Sequence, residues 1–418
     1  MALRKAFGWE RRSLHSLWEC SGRPPVQLEL WDGTRIGAES TDAIGRILFR
    51  DPGVMAGLVW DPSLALGDRF SDGRIEIEGD LPDVLTAVFE AMPHQRQRSW
   101  RDWFIGQRGH SFHESRESVY HHYDLGNDFY RLWLDEQMAY TCAYYEHPKM
   151  SLEQAQIAKF DHVCRKLRLQ PGEVVAEAGC GWGGLALHMA RHYGVNVRAY
   201  NLSKEQLAYA RARAREEGLS DRVEFIEDDY RNLSGKFEAF VSVGMLEHVG
   251  VDQFAALGKA MDRVLTPNGR GLIHSIGRNA ARRLDSWTEQ RIFPGAEPPS
   301  LRQMMDIFEP FDFSVLDVEN LRLHYAQTLH HWLERFDAAE ETVRTQFDDK
   351  FVRMWRFYLA ASIAAFRAGH LQLFQVVFSR ARNNALPWTR ADLYQRGPTD
   401  RFAPQPLKSR SGSFAGAP

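Results

Sequence analysis

From residue 172 onward, short apolar runs alternate with helical stretches, and no other feature narrows the fold as much. Candidate strands cover 173–177, 195–200, 222–227, 238–243 and 270–275, with helical patterns between them. Such alternation predicts an α/β chain with a parallel, doubly wound sheet. Further on, 313–323 reads as a strand, 329–367 as helix in pieces, and 371–378 as a second alternating run. Two late strands joined by a helix extend the sheet, one of them antiparallel. In front lies a small α+β unit, 1–93. Residues 26–30 alternate ahead of a turn at Trp31-Asp32-Gly33-Thr34, 74–79 alternate again, and a helix over 81–92 opens at Asp80 or Pro82.

Ligands of such sheets sit at the carboxyl ends of the strands. The first strand there runs into E-A-G-C-G-W-G-G, residues 177–184. The spacing Gly179-x-Gly181-x-x-Gly184 fits the dinucleotide fingerprint, which also demands an acid at the end of the second strand. That strand ends at Asn201-Leu202-Ser203, without a carboxylate. Glu177 stands two residues before the first glycine, where it would repel a pyrophosphate and suit a ligand carrying positive charge. The other strand ends supply Asp228-Asp229-Tyr230, Met245-Leu246-Glu247-His248 and His274-Ser275-Ile276. Ser203 is predicted to cap the next helix, with Gln206 three residues on as its capping-box partner.

The chain has 418 residues, which suggests two domains. A net charge of -3 argues against bulk attraction to nucleic acid. The four cysteines form no C-x-x-C pair, and the N-terminus lacks a long apolar stretch. This predicts a reduced, cytoplasmic setting without disulfides or a thiolate zinc site. His110, His113, His121 and His122 lack the spacing of a metal motif, and no metal is expected. The longest apolar runs, such as 357–366, are too short to cross a bilayer. Residues 94–118 are rich in Arg and Trp, which reads either as a solvated linker helix or as a surface that engages lipid phosphates. From 398 the chain reads as a disordered tail.

Three more stretches carry a resemblance: Y-H-H-Y-D-L-G-N-D-F-Y (120–130), M-A-Y-T-C-A-Y-Y (138–145), and H-Y-A-Q-T-L (324–329) with Trp332. Together with G-C-G-W-G-G, L-S-K-E-Q and E-H-V-G they resemble the cyclopropane-fatty-acid synthase family, from about Asp68 to Arg380. D-G-R-I-E-I-E-G-D-L (72–81) looks like the lipid-facing domain of its longer bacterial members. The resemblance implies a Rossmann-like class I methyltransferase domain over 119–397, using S-adenosylmethionine on unsaturated acyl chains. Glu177, Gly179 and Gly181 would form the cofactor loop, and Tyr140 and Thr141 would close over it. Asn201, Leu202 and Gln206 would line the ribose and adenine, with Asp229, Tyr230 and Arg231 beyond.

The family's chemistry implies a carbocation in the middle of the acyl chain. A dry apolar tunnel protects it, and a base removes a proton from the new methyl group. The family uses bound bicarbonate as that base, and its cage corresponds to Cys142, Glu247, His274, Ile276 and Tyr325. Taken singly, Cys142 and His274 read as ordinary buried residues; as members of a set of five they read as functional. The sequence departs from the family pattern at Glu177-Ala178 and Asn201, both of which keep hydrogen-bonding capacity. Ser362 and Phe374 stand where some members carry a cysteine, which excludes a thiol mechanism there. The implied activity is cyclopropane formation on an unsaturated phospholipid by a peripheral protein at the inner membrane face, with a homodimer left open. The alternatives are the same transfer giving a methylene- or methyl-branched chain, or a non-catalytic lipid-binding protein.

Overall fold

The computed structural model describes residues 4–39, 41–92 and 125–394. The sequence expectations for the segment 94–118, its flanking domain boundaries, His110, His113, His121 and His122, and the tail from 398 lie outside these residues. The chain divides into two compact units, Met1–Asn383 and Asn384–Pro418.

The first unit opens with a helix, Gly8–Cys20, and a four-stranded sheet. Its strands are β1 (Gln27–Glu29), β2 (Arg35–Gly37), β3 (Arg46–Phe49) and β4 (Ile75–Glu78), in the order β2-β1-β3-β4. Asp80 caps the helix Leu81–Ala91, its Oδ1 accepting the Asp83 N–H at 2.9 Å. Helix Gly8–Cys20 and strands β2 and β3 were not read from the sequence, because their apolar residues are too few per element to set a period.

The second sheet has seven strands: β5 (Val174–Ala178), β6 (Asn196–Asn201), β7 (Val223–Glu227), β8 (Phe237–Val243), β9 (Leu265–Gly277), β10 (Phe313–Asn320) and β11 (Gln372–Arg380). Their order is β10-β11-β9-β8-β5-β6-β7. The pairs from β9 to β7 are parallel, and β11 runs antiparallel to both β9 and β10. This is the predicted doubly wound sheet with one late antiparallel member. Strands such as β5 and β11 are buried along nearly their whole length, as expected where helices cover both faces. The chain leaves β5 for β6 on one side and reaches β8 on the other, so a crevice opens beyond the carboxyl ends of β5 and β8.

Some boundaries moved, and the strand predicted over 270–275 runs from Leu265 to Gly277. The strand predicted to reach 323 stops at Asn320, whose Oδ1 accepts the Arg322 N–H at 3.1 Å and turns the chain into the helix Arg322–Ala338. The long helical stretch is three pieces, ending with Asp349–Arg367, which Asp348 caps through the Phe351 N–H at 2.7 Å. That last helix contains the apolar run 357–366 and buries it in the core. No helix among the described residues is long and apolar enough to cross a membrane.

The N-terminal layer has a core of its own, built on Leu14, Leu28, Phe49 and Val84, and part of it reaches the core of the larger domain. Phe70 and Leu85 belong to the same buried cluster as Cys142, Tyr325, Trp332 and the helix Asp349–Arg367. Arg353 donates to the carbonyls of Phe70 (2.7 Å) and Ile75 (3.1 Å), and Arg291 pairs with Asp68 at 2.8 Å.

Candidate active site

The crevice beyond β5 and β8 holds a pocket. Glu177, Gly179, Gly181, Asn201, Gln206, Tyr140 and Thr141 line it, which brings seven of the predicted cofactor residues together. The loop after β5 starts with Gly179 at φ +82°, where a Cβ would stand 2.8 Å from that of Met245. Gly181, at φ +54°, has nothing within 4 Å of a modest side chain's first carbon, so that carbon would enter open space. Both conformations favour glycine, and the second keeps room beside the loop. Asn201 ties the second strand end to this loop: its Nδ2 donates to the Gly181 carbonyl (3.2 Å) and to Gln206 Oε1 (2.8 Å).

Ser203 does cap its helix, but Gln206 does not complete the capping box; its side chain turns to Asn201 and faces the pocket instead. Leu202, Asp229, Tyr230 and Arg231 are not among the lining residues. The Asp229 carboxylate is taken up by Arg231 at 2.6 Å.

The electrostatics of the pocket centre on two buried groups of opposite sign. Glu177 Oε2 is buried without a hydrogen-bond partner, and burial pushes the carboxyl up to about 8. Lys159 is buried beside it with Nζ 2.7 Å from Thr141 Oγ1, and burial brings its pKa down to about 8. Each favours the other's charge, although burial outweighs that effect in both. The loop 135–141 that carries Tyr140 and Thr141 is tied from two sides. Asp135 accepts the N–H groups of Gln137 (2.8 Å) and Ala139 (2.9 Å), while Gln156 Nε2 donates to the carbonyls of Ala139 (3.1 Å) and Thr141 (2.9 Å).

Sequence reasoning missed Lys159, Gln156 and Asp135. The available signal was the helix Leu152–Leu167, where Gln156, Lys159 and Lys166 fall on the same face as Leu152, Ala155 and Val163.

Next to the pocket lie the five residues Cys142, Glu247, His274, Ile276 and Tyr325. Glu247 Oε1 accepts the Ile276 N–H at 2.5 Å, while its Oε2 is buried without a partner. Burial raises this carboxyl to about 7. His274 and Ile276 share one face of β9. His274 Nδ1 meets Gln375 Nε2 at 3.0 Å, and its Nε2 is buried without a partner. Burial and nearby lysines hold the imidazole well below its ordinary pKa. Ile276 pairs in register with Leu373, whose carbonyl accepts the Leu321 N–H at 2.8 Å. The Leu321 carbonyl in turn lies 4.0 Å from Cys142 Sγ. The Cys142 thiol, which burial keeps protonated, is also 3.1 Å from the Ala143 carbonyl.

Tyr325 packs on Phe366 (4.7 Å between ring centroids) and on Trp332 (5.9 Å). Trp332 reaches Tyr140 of the pocket at 5.2 Å, and the Tyr140 hydroxyl lies 2.9 Å from that of Tyr358. An aromatic series of Tyr140, Trp332 and Tyr325 thus leads from the pocket to one of the five residues. The arrangement offers a cavity for a cationic ligand, and in the buried surroundings Glu247 Oε2, His274 Nε2 and Trp332 Nε1 lack partners.

The mycolic acid cyclopropane synthetase family model matches residues 110–376, and a domain of unknown function (DUF7884) matches residues 14–97. The chain is 37% identical over 382 residues to a probable fatty acid methyltransferase of Pseudomonas putida, across 89% of this chain and 96% of that protein. It is 38% identical over 360 residues to the cyclopropane-fatty-acyl-phospholipid synthase of Escherichia coli (strain K12), across 81% and 89%. The structure of the cyclopropane synthase MmaA2 from Mycobacterium tuberculosis matches with a TM-score of 0.60 at 30% identity, covering 63% of this chain and 98% of that one. Fold and pocket define the class, an S-adenosylmethionine-dependent methyltransferase with a Rossmann-like sheet. Within that class the chain belongs to the mycolic acid cyclopropane synthetase family.

Proposed function

We propose that this protein converts the double bond of an unsaturated acyl chain in a membrane phospholipid into a cyclopropane ring. The observation that carries the reading is the pair of buried unpartnered atoms, Glu247 Oε2 and His274 Nε2, with the aromatic series that leads from the cofactor pocket to Tyr325. S-adenosylmethionine, bound by Glu177, Gly179, Gly181, Tyr140, Thr141, Asn201 and Gln206, would supply an electrophilic methyl group. Glu177 fits its ammonium group, because a buried carboxylate without a partner favours a cation. Lys159 and Thr141 Oγ1 suit the carboxylate at the same end. Leu202, Asp229, Tyr230 and Arg231 would act at the rim, outside the enclosed part.

Glu247 and His274 suit a bound bicarbonate, which would act as the base. Its hydroxyl proton matches Glu247 Oε2 and its oxygens match N–H donors. Ile276 contributes by fixing Glu247, and Cys142 and Tyr325 by closing the space against water. The aromatic rings of Tyr325, Trp332 and Tyr140 stabilise positive charge on the acyl chain without offering it a nucleophile.

Val59 and Trp60 are exposed on the N-terminal layer. With the Arg- and Trp-rich segment 94–118, they suit docking on an anionic lipid surface at the inner face of the membrane. The relative named a fatty acid methyltransferase favours a second reading, in which a different proton is lost and a methylene- or methyl-branched chain results.

The test is lipid from a host expressing the protein, analysed by mass spectrometry and by proton NMR for the upfield signals of a cyclopropane ring. In vitro, removing dissolved carbon dioxide is expected to slow turnover and added bicarbonate to restore it. Glu247→Gln should lose turnover while keeping cofactor affinity. A branched product would replace ring closure by the second reading. Full turnover of Glu247→Gln in bicarbonate-free buffer would remove the assigned base.

A further inference from the structure

The register of β11 against β9 sets Gln375 directly opposite His274. Gln375 is fully buried, and its amide can face His274 in either of two ways. Lys166 decides between them. The ammonium group is a donor only, so the amide edge it meets at 2.8 Å must be Oε1. Gln375 Nε2 then points at His274 Nδ1, 3.0 Å away, and a donor there requires Nδ1 to be bare. Lys166 itself cannot swing aside. It is buried, and Glu319 Oε2 holds it at 2.6 Å, with Asp317 Oδ2 at 3.6 Å. Glu319 is anchored in turn by His162 Nε2 at 2.7 Å, and against the cost of burial that hydrogen bond and the Lys166 cation keep it ionised, down to about 2.

We propose that Lys166 and Gln375 are positioning residues that lock His274 in the Nε2–H tautomer, so that it meets the reacting centre only as a hydrogen-bond donor. Burial and the neighbouring lysines keep the ring from taking a second proton. His274 is therefore excluded as the base that receives the substrate proton, and whatever faces its Nε2 must present an acceptor. An oxygen of an anion meets that requirement. The functional half of this inference rests on the bicarbonate reading; the tautomer does not.

The experiment is 15N NMR of the full chain labelled at histidine, with His274→Gln identifying the signal by difference. An unprotonated Nδ1 and a protonated Nε2 are expected; an Nδ1–H or a doubly protonated ring overturns the proposal. In Lys166→Met the amide is free to turn, so a mixture of tautomers is expected. The bicarbonate concentration for half-maximal turnover on unsaturated phospholipid vesicles should rise about tenfold, the loss of one hydrogen bond to an anion. Cofactor affinity should be unchanged. An unaltered tautomer and an unaltered bicarbonate requirement overturn the proposal. Should that variant not fold, Gln375→Glu keeps the pair with Lys166 and replaces the donor by an acceptor. Its His274 should then carry a proton on Nδ1, and retention of a bare Nδ1 overturns the proposal. Wild-type turnover that ignores bicarbonate, with the expected tautomer present, would count against the bicarbonate reading and leave this one standing.

Discussion

A carboxyl that is buried without a partner records what it is waiting for, and Glu177 does so in a measurable way. Its folded pKa of about 8 lies above the ordinary 4.5, so the folded protein holds a proton that the unfolded chain has released. The contribution to stability is full below pH 4.5 and is lost as pH rises toward about 8; Glu247, raised to about 7, acts in the same direction. Lys159, lowered to about 8, works oppositely and restores stability only between about 8 and 10.5. Buried histidines held below their ordinary pKa act the other way only up to about 6.5, so thermal melts of the ligand-free protein should fall from about pH 6.5 to 8, and Glu177→Gln should flatten that fall. Adding a cationic ligand favours the ionised carboxylate, so S-adenosylmethionine should bind with release of a proton near neutral pH. Calorimetry in buffers of different ionisation heat measures this directly. Equal proton counts for wild type and Glu177→Gln would show that Glu177 does not meet the ammonium group. Much of this site was legible in the sequence, because Glu177, Glu247 and His274 stand at strand ends that a parallel sheet must gather. Lys159, Lys166 and Gln375 were not. A lysine inside a helix reads as solvated until the neighbouring sheet covers it, and a glutamine within a strand carries no sign of its partner.

Among the elements, the helix Leu152–Leu167 organises both halves of the site. Gln156 and Lys159 face the pocket loop, and Lys166 meets Gln375 of β11. Ser151 and Gln154 close a reciprocal capping box that fixes where this helix starts, and hence which turn faces which partner. Gln156→Met keeps the length of the side chain but leaves the carbonyls of Ala139 and Thr141 without a donor. Denaturant unfolding should show a loss of about 1–3 kcal/mol, the cost of buried polar groups left unpaired. The cofactor Kd should also rise, because Tyr140 and Thr141 are no longer held. Loss of stability at wild-type affinity would mean that the loop is fixed by Asp135 alone. The strands were the most legible elements, since a run of Val, Ile and Phe bounded by glycine has few other uses. The break after Asn320 was less so. It depends on one side chain turning back to the Arg322 N–H, which strand periodicity does not encode.

At the scale of the molecule, one helix among the described residues links the N-terminal layer to the site. The helix Asp349–Arg367 carries Tyr358, which meets Tyr140, and Phe366, which packs on Tyr325. Its other contacts reach the N-terminal layer: Phe357 lies 5.0 Å from Phe70 of the helix Pro62–Ser71 and 5.1 Å from Trp287, which itself packs on that helix. Trp287 in turn sits against Gly67 so closely that a Cβ there would come within 2.4 Å of its ring. None of this was visible in the sequence, because Gly67 lies inside a helix where glycine is a local cost and only the opposing indole explains it. Gly67→Ala should therefore destabilise by about 1–3 kcal/mol through overpacking, despite the better helix propensity of alanine. The displaced Trp287 would press on Phe357 and shift the helix behind Tyr358 and Phe366. Turnover should fall while cofactor affinity holds, since the glycine loop, Glu177 and Asn201 belong to other elements. Trp287→Leu makes room for the added methyl, so the double variant should recover part of both stability and turnover, a coupling that the two single changes alone cannot give. A Gly67→Ala protein as stable and active as wild type would mean that the two layers slide past one another freely. The acyl site would then be independent of the N-terminal sheet.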